Sequence, residues 1–247
     1  NLRNKNSKNI KTIVHNNLKN IDNLNTTLNV LSEKFKFNIN FSHLKKFKKL
    51  KSIVIIGMGG SILGAEAIYH SFKEKINKDF YFFDNLEWSQ IKNLKEKINI
   101  GKTLFIIISK SGNTIETIAN FLFLIDFKKN SKNIIIISEK KDSVLYSLTK
   151  KFDLFYIEHK NNIGGRYSVL SEVGMVPAYF MGLDIKKIRK NLKKYLKINE
   201  VSKLKNNSLI LAKMLNQKKK NNLIFLNYEP KLEKFLFWCQ QLMAESL

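Results

Sequence analysis

Five short apolar runs follow one another in the middle of the chain. They lie at 52–57, 80–84, 103–108, 133–138 and 154–158, and stretches with helical spacing separate them. Each run is apolar at successive positions rather than at every second position, which is typical of strands that helices cover on both faces. Strands that alternate with helices predict an α/β fold, with a doubly wound, five-stranded parallel sheet.

The residues on either side of the sheet have a different pattern. Residues 1–50 contain no strand-like run, and apolar residues recur there at roughly helical spacing, which predicts N-terminal helices. Residues 51–183 form the predicted sheet domain. We expect 184–247 to be a helical connection followed by a strand at 222–228 and a helix at 232–246, the beginning of a second α/β domain. The helices predicted between the strands cover 62–75, 88–98, 115–129 and 142–150.

The charge of the chain is strongly positive, with 44 Lys and Arg against 20 Asp and Glu, a net charge of +24. Only Arg3, Arg166 and Arg189 are arginines, so lysine supplies nearly all of this charge, mixed with many asparagines. Nucleic-acid surfaces favour arginine for bidentate contacts, so we predict no nucleic-acid partner. A basic protein still attracts anionic metabolites.

The cysteine content and the hydropathy predict a cytoplasmic protein. Cys239 is the one cysteine, which excludes an internal disulfide and fits a reducing compartment. Because it lies on the apolar face of a helical pattern, we expect it to pack rather than react. No apolar stretch approaches about 18 residues, and the basic start lacks the apolar core of a signal peptide, so we predict no membrane association.

The first candidate binding turn, GMGGSILG, follows the first predicted strand at 57–64. Glycines allow a ligand close to the backbone, and the next helix presents free N–H groups to an anion. Asp84, at the end of the next strand, would suit the ribose of a dinucleotide, but the fingerprint needs a glycine where Ile62 stands. The pattern favours a phosphate or sugar contact through Gly60 and Ser61, with a plain tight turn as the alternative.

The second candidate turn, SKSGNTIE, follows the third predicted strand. Asn113 and Glu116 have the spacing of a capping box for the next helix. A cap does not explain Ser109, Ser111 and Thr114, whose hydroxyls cluster with backbone N–H groups at the positive end of that helix. Such a turn can hold a phosphate monoester without a metal, and the P-loop pattern is absent. An ordinary capped turn is the alternative.

Two further motifs supply charged side chains. Gly164 and Gly165 precede Arg166 in a chain that otherwise uses lysine, which suggests a need for planar, permanent charge, or else a structural salt bridge. Gln241 and Glu245 are four residues apart and project from one helix face. They could form a general base beside a substrate contact, although an ordinary surface pair has the same spacing.

Taken in order, four motifs resemble those of the glucose-6-phosphate isomerase family. GMGGSILG, SKSGNTIET, GGRYSVLSEVG and QQLMAES resemble its glycine-serine turn, its phosphate loop, its Gly-Gly-Arg-Phe-Ser segment and its Glu-Ser active-site helix. The resemblance covers the chain from residue 53 to its end. Tyr167 stands where Phe is usual, and Ser111 stands where many members have Thr; both preserve the chemistry.

The resemblance implies that residues 51–183 are a sugar-isomerase domain and that the protein interconverts glucose 6-phosphate and fructose 6-phosphate through an enediol. It implies a homodimer that uses no metal and no cofactor. Glu245 would move the proton between C1 and C2, and Arg166 would stabilise the enediolate. The residues that would bind the substrate are Gly60, Ser61, Ser109, Lys110 through its backbone N–H, Ser111, Thr114, Gly165 and Gln241.

Other members of the sugar-isomerase class are alternatives. SKSGNT is common to several of them, so a bifunctional phosphoglucose/phosphomannose isomerase, or an isomerase of another sugar phosphate, stays open. A non-catalytic sugar-phosphate sensor, joined to a DNA-binding segment, would use the same fold. GGRYSVLSEVG and QQLMAES favour the glucose enzyme.

The first prediction concerns the chain by itself. It starts with Asn1 and stops within a helical pattern, so we expect a fragment. The family's ring-opening histidine, which comes from the partner subunit, and its C-terminal lysine are expected beyond residue 247, and His15, His43, His70 and His159 match no family motif. The 247 residues alone should therefore isomerise fructose 6-phosphate far more slowly than the full-length protein in a coupled assay. Full activity would contradict this expectation.

Overall fold

The fold was analysed in a computed structural model that describes residues 12, 16–17, 19–125, 130–190, 192, 207–208, 210–212, 214 and 222–246. The chain forms two compact units. One consists of Asn1–Phe35 with Lys186–Leu226, and the other of Lys36–Ile185 with Asn227–Leu247. The sheet and every candidate site residue belong to the second unit. The domain boundaries expected from the sequence, at 50/51 and 183/184, stay predictions.

The second unit is built on a five-stranded parallel sheet, as the apolar runs predict. The strand order is β2-β1-β3-β4-β5. The strands are β1 (Ser52–Gly57), β2 (Asp79–Phe83), β3 (Thr103–Ile108), β4 (Ile134–Ser138) and β5 (Phe155–Glu158). Each predicted run therefore matches an observed strand to within one residue at either end.

Helices follow the strands along the chain. The α-helices that are described along their whole length are α1 (Leu63–Phe72), α2 (Trp88–Lys97), α3 (Ile115–Leu124), α4 (Val144–Phe152), α5 (Glu172–Phe180), α6 (Ile185–Arg189) and α7 (Glu233–Ala244). Short 3-10 helices lie at Thr27–Leu31, Phe41–Phe47, Gly59–Ser61, Lys73–Lys75, Ile100–Lys102, Ser131–Asn133, Gly165–Leu170 and Pro230–Leu232. No helix of the described part is long and apolar enough to span a membrane.

The sheet is covered on both faces, which explains the unbroken apolar runs. Ile53 and Ile55 point into one buried cluster, whereas Val54 and Ile56 point into another. All six residues of β3 are buried. Side chains alternate across a strand, so a strand with helices on both sides needs apolar residues at every position. The central strands can bury them all only because α-helices pack on each face.

One predicted element differs from the structure. Residues 222–229 have no regular secondary structure, and Ile224 is 78% exposed, so the predicted strand at 222–228 is wrong for the described residues. An apolar run becomes a strand only where another strand pairs with it, and no described residue does so here.

The described part of 1–50 is helical at several places. Residues 12, 16–17 and 19 are α-helical, and 3-10 helices lie at Thr27–Leu31 and Phe41–Phe47. Of the predicted helix at 115–129, residues 126–129 lie outside the described residues.

The strand order determines where a ligand can bind. It reverses between β1 and β3, which lie side by side with Gly57 opposite Ile108. Their following turns leave the same edge of the sheet in opposite directions, and the resulting crevice is the usual ligand site of doubly wound folds. Two of the candidate motifs, the turns after β1 and after β3, lie at this point.

The buried central strand should dominate stability. Phe105 is fully buried in β3, so Phe105→Ala should lower the free energy of unfolding by about 3–5 kcal/mol. Phe105→Leu keeps more of the volume and should cost less. Leu122, on α3, is 51% exposed, and Leu122→Ala should stay within about 0.5 kcal/mol. Urea denaturation measures all three; equal losses at Phe105 and Leu122 would contradict this assignment of the core.

Candidate functional site

Three hydroxyls lie together in the turn between β3 and α3, and we call Ser109, Ser111 and Thr114 the hydroxyl cluster. Ser109 Oγ lies 2.8 Å from Thr114 Oγ1, and Ser111 Oγ lies 3.4 Å from each of the other two oxygens. The N–H of Gly112 donates to Ser109 Oγ at 3.1 Å, and the N–H of Asn113 donates to Ser111 Oγ at 3.2 Å. The turn thus presents hydroxyls and amides at one helix N-terminus, as an anion requires.

The predicted capping box is wrong. Thr114, not Asn113, is the N-cap residue of α3, and its side chain makes no capping hydrogen bond. Asn113 Oδ1 instead accepts a hydrogen bond from the N–H of Val144, the first residue of α4, at 2.9 Å. Gly112, at φ +70°, brings the turn so close to α4 that a Cβ on it would lie 2.3 Å from Ser143 Oγ. The tertiary fold therefore supplies Asn113 with a partner that local spacing does not reveal.

The side chain of Lys110 does not belong to the hydroxyl cluster. Its Nζ donates to the carbonyl of Asn161 at 2.9 Å and lies 3.5 Å from Glu139 Oε1. These residues follow β5 and β4 in the chain, so the ammonium is engaged along the sheet edge. The predicted role for the backbone N–H of Lys110 is compatible with this geometry.

The glycine turn after β1 lies against the Gly-Gly-Arg segment. A Cβ on Gly60 would lie 2.3 Å from the carbonyl carbon of Gly165 and 2.5 Å from the N of Arg166. Ser168 Oγ donates to the carbonyl of Gly60 at 3.2 Å. Packing therefore explains the glycine at 60. No described atom lies within 4 Å of a Cβ built on Gly165, so a ligand can approach that backbone.

Ser61 lies at the switch point of the sheet. It ends the 3-10 helix Gly59–Ser61 just before α1. A Cβ built on Gly57 would lie 3.1 Å from Ser61 Cβ and 3.0 Å from the carbonyl oxygen of Ile108. Ile108 is the last residue of β3, and Ser109 of the hydroxyl cluster follows it. The turn that carries Ser61 therefore lies next to the beginning of the hydroxyl cluster.

The carboxylate of Glu245 lies between two donors. Gln241 Nε2 donates to Glu245 Oε1 at 2.8 Å, and Arg166 Nη1 donates to Oε2 at 3.3 Å. Arg166 Nε also donates to Ser246 Oγ at 3.0 Å. The side chain of Glu245 is 46% exposed, so this ion pair contributes little to stability and remains open to a ligand. We call Arg166, Gln241, Glu245 and Ser246 the carboxylate network.

One residue of this network, Ser246, and two of its neighbours are not among the site residues predicted from the sequence. Ser246 follows Glu245 in the Glu-Ser motif, which is the signal that points to it. The Tyr167 hydroxyl lies 3.1 Å from Ser246 Oγ, and Trp238 Nε1 donates to the Arg166 carbonyl at 3.1 Å. The Ser246 hydrogen bond, together with the Arg166 guanidinium, lowers the pKa of Tyr167. The aromatic at 167 therefore contributes a hydroxyl that the usual Phe would lack.

One ion pair holds α7, which ends just before Glu245, against α1, and a second joins the 3-10 helix before α7 to the 3-10 helix after α1. Lys234 Nζ lies 2.9 Å from Glu66 Oε1, and Lys231, in the preceding 3-10 helix, lies 2.6 Å from Glu74 Oε1. Glu66 is 6% exposed, so the first pair is largely shielded from solvent. Cys239, on the same helix, is partly buried, which raises the pKa of its thiol and agrees with a packing role.

His159, which directly follows β5, is buried, and burial lowers the pKa of its imidazole. Its Nδ1 lies 2.8 Å from the carbonyl oxygen of Lys160.

In the described part of the chain, no three His, Cys, Asp or Glu side chains lie together so as to hold a metal ion.

Comparison with known proteins gives a consistent result. The family model for phosphoglucose isomerase matches residues 1–247. A probable glucose-6-phosphate isomerase of Methanococcus maripaludis is 35% identical over 215 residues, which cover 81% of this chain and 48% of the relative. The glucose-6-phosphate isomerase of Methanocaldococcus jannaschii is 32% identical, with 83% of this chain and 53% of the relative covered. The chain thus spans about half the length of the curated relatives it matches.

Solved structures show the same fold. A hypothetical protein from Thermus thermophilus aligns with a TM-score of 0.77 at 22% identity, covering 98% of this chain and 62% of that one. A glucose-6-phosphate isomerase from Chlamydia trachomatis aligns with a TM-score of 0.62 at 24% identity, covering 80% and 40%. At these identities the likeness concerns the fold.

The close contact between Gly60 and the backbone of Gly165 should make the chain sensitive to a larger residue at position 60. Gly60→Ala should lower the free energy of unfolding by about 1–3 kcal/mol, because the new methyl group would overlap the backbone of Gly165 and Arg166. Gly165→Ala meets open space and should change it by less than about 0.5 kcal/mol. Thermal unfolding of both variants measures the difference. Equal midpoints would show that the two backbones do not approach so closely.

Proposed function

This chain belongs to the phosphoglucose isomerase family, and we propose that the whole protein interconverts glucose 6-phosphate and fructose 6-phosphate as an aldose–ketose isomerase. The proposal concerns the whole protein, because the relatives are about twice as long as this chain. Assembly as a homodimer in the cytoplasm belongs to the same proposal.

The carboxylate network is the observation that carries the proposal. Conversion of the aldose into the ketose removes a proton from C2 and adds one to C1, while a second proton passes from the C2 hydroxyl to the C1 oxygen. Glu245 is the base that takes the proton from C2 and returns it to C1. Gln241 and Arg166, at 2.8 and 3.3 Å, orient its carboxylate.

Arg166 has a second role in this proposal. Loss of the C2 proton leaves an enediol with negative charge developing on an oxygen. The guanidinium of Arg166 stays charged throughout the cycle, as that of any arginine does, and the contact with Tyr167 and the nearby Glu245 raise its pKa further. A permanent positive charge placed beforehand beside the reacting carbons stabilises the enediolate more than it stabilises the substrate.

The hydroxyl cluster would bind the 6-phosphate. Its three oxygens now bond to one another, and a phosphate would replace those contacts with its own acceptor oxygens. Ser61 and the backbone N–H of Lys110 would complete the set, and Gly165 would allow the sugar to approach the backbone. The net charge of +24 favours the encounter with a dianion.

Glu245→Gln tests the role of the base. We expect kcat of the full-length protein to fall by about 10²–10⁴-fold, because an amide cannot accept the C2 proton. Binding of fructose 6-phosphate, measured by calorimetry, should stay within several-fold of the wild type. Glu233→Gln is the matched control: Glu233 begins α7, the helix that ends just before Glu245, is exposed, and should leave kcat unchanged.

The outcome separates the isomerase from a sensor. A non-catalytic sugar-phosphate sensor would bind fructose 6-phosphate and show no isomerase activity in either form. A wild-type protein with normal turnover whose Glu245→Gln variant turns over equally fast would exclude Glu245 as the base.

A further inference from the structure

The loop that carries the hydroxyl cluster is held from the side by a lysine. Lys110 stands between Ser109 and Ser111, so any rotation of its backbone moves both hydroxyls. Its side chain is 32% exposed and runs along the sheet edge to the Asn161 carbonyl and to Glu139. A lysine whose side chain binds a phosphate would be expected to keep its ammonium free for that ligand. The ammonium of Lys110 is instead bound to Asn161 and Glu139.

Glu139 makes more than one contact with this loop. Its backbone N–H donates to the carbonyl of Lys110 at 3.1 Å, and its Oε1 lies 3.5 Å from Lys110 Nζ. Its other oxygen, Oε2, pairs with Lys141 Nζ at 2.6 Å. The side chain of Glu139 is only 13% exposed, so solvent screens its interactions less than those of a surface pair.

The position of Glu139 follows from the sheet. It is the first residue after β4, the neighbour of β3, and the N–H of Ser109 still donates to the carbonyl of Ile137 at 3.1 Å. The register of the two strands therefore continues into the loop. Glu139 and Lys110 meet because both lie two residues beyond the last paired residues, Ile137 and Ile108, and their contacts extend the order of the sheet to the hydroxyl cluster.

We propose that Glu139 is a positioning residue for the hydroxyl cluster: its carboxylate holds the ammonium of Lys110, and its N–H holds the carbonyl of the same residue. Together they fix the peptide group that follows Lys110 and anchor its side chain, while the N–H of Gly112 holds the carbonyl of Ser109 in the peptide group before it. The directions of the Ser109 and Ser111 hydroxyls follow from these contacts. The inference rests on the proposed function, since it takes the phosphate of a sugar phosphate as the ligand of this loop.

The effect of Glu139 should appear in substrate binding and not in chemistry. The phosphate does not change during isomerisation, so the loop binds the substrate and the transition state equally well, and its loss raises KM at constant kcat. For Glu139→Gln in the full-length protein, we expect KM for fructose 6-phosphate to rise about 5–10-fold, as for the loss of one hydrogen bond of ordinary strength, with kcat within twofold.

Two further variants sharpen the test. Lys141→Met removes the other partner of the same carboxylate but leaves the contact with Lys110, and its KM should stay within twofold of the wild type. Lys110→Met should raise KM as Glu139→Gln does. The double variant should be no worse than Lys110→Met alone, because Lys110→Met already removes the ion pair with Glu139 together with the hydrogen bond to Asn161.

The results distinguish the possible failures. An unchanged KM in Glu139→Gln, or a fall in kcat and thermal stability with KM unchanged, would overturn the positioning role while leaving the isomerase in place. If the wild-type protein has no isomerase activity, the proposed function fails, and calorimetry with fructose 6-phosphate then decides: weaker binding by Glu139→Gln supports the inference, and equal binding overturns it. No binding by either protein would overturn both.

Discussion

The contact on which the site depends is the direct approach of two backbones, the turn after β1 and the Gly-Gly-Arg segment. A methyl group on Gly60 would lie 2.3 Å from the carbonyl carbon of Gly165, so glycine at 60 is the condition for this contact. Ser168 strengthens it through the carbonyl of Gly60. The contact places Arg166 beside the end of α7, where its guanidinium reaches the carboxylate of Glu245. A larger residue at position 60 would therefore disturb the carboxylate network, although Gly60 itself has no side chain in it.

The site combines a rigid support with polar side chains that remain accessible. The hydroxyl cluster follows a strand that is buried along its whole length, and the contacts between Glu139 and Lys110 extend that order beyond the ends of β4 and β3. The carboxylate network, by contrast, is partly exposed, and the ion pair between Lys234 of α7 and Glu66 of α1 holds the adjoining helix in place. Buried strands thus fix the proposed phosphate site, whereas side-chain pairs orient the proposed base.

The sheet could be predicted because its cause is local in the sequence. A strand covered on both faces must be apolar at every position, and that pattern is visible without any knowledge of the fold. Residues 222–228 have the same pattern and form no strand among the described residues, because a strand also needs a partner that the pattern does not specify. The N-cap role predicted for Asn113 is wrong for a similar reason. The spacing of Asn113 suits a cap of α3, but its side chain accepts a hydrogen bond from the N–H of Val144 in the neighbouring α4.

By itself, the sequence determined the succession of strands and helices along the chain and the presence of hydroxyls, glycines and charges at the strand ends. It also determined the four-residue spacing that brings Gln241 to Glu245. Only the tertiary structure decided that Arg166 and Ser246 meet, that Lys110 turns toward Glu139, and that Gly60 lies against Gly165. The physical reason is distance along the chain. Helical and strand periodicity relate residues a few positions apart, whereas contacts between residues that are far apart in the chain, such as Arg166 and Ser246, arise only when the sheet and its helices have packed.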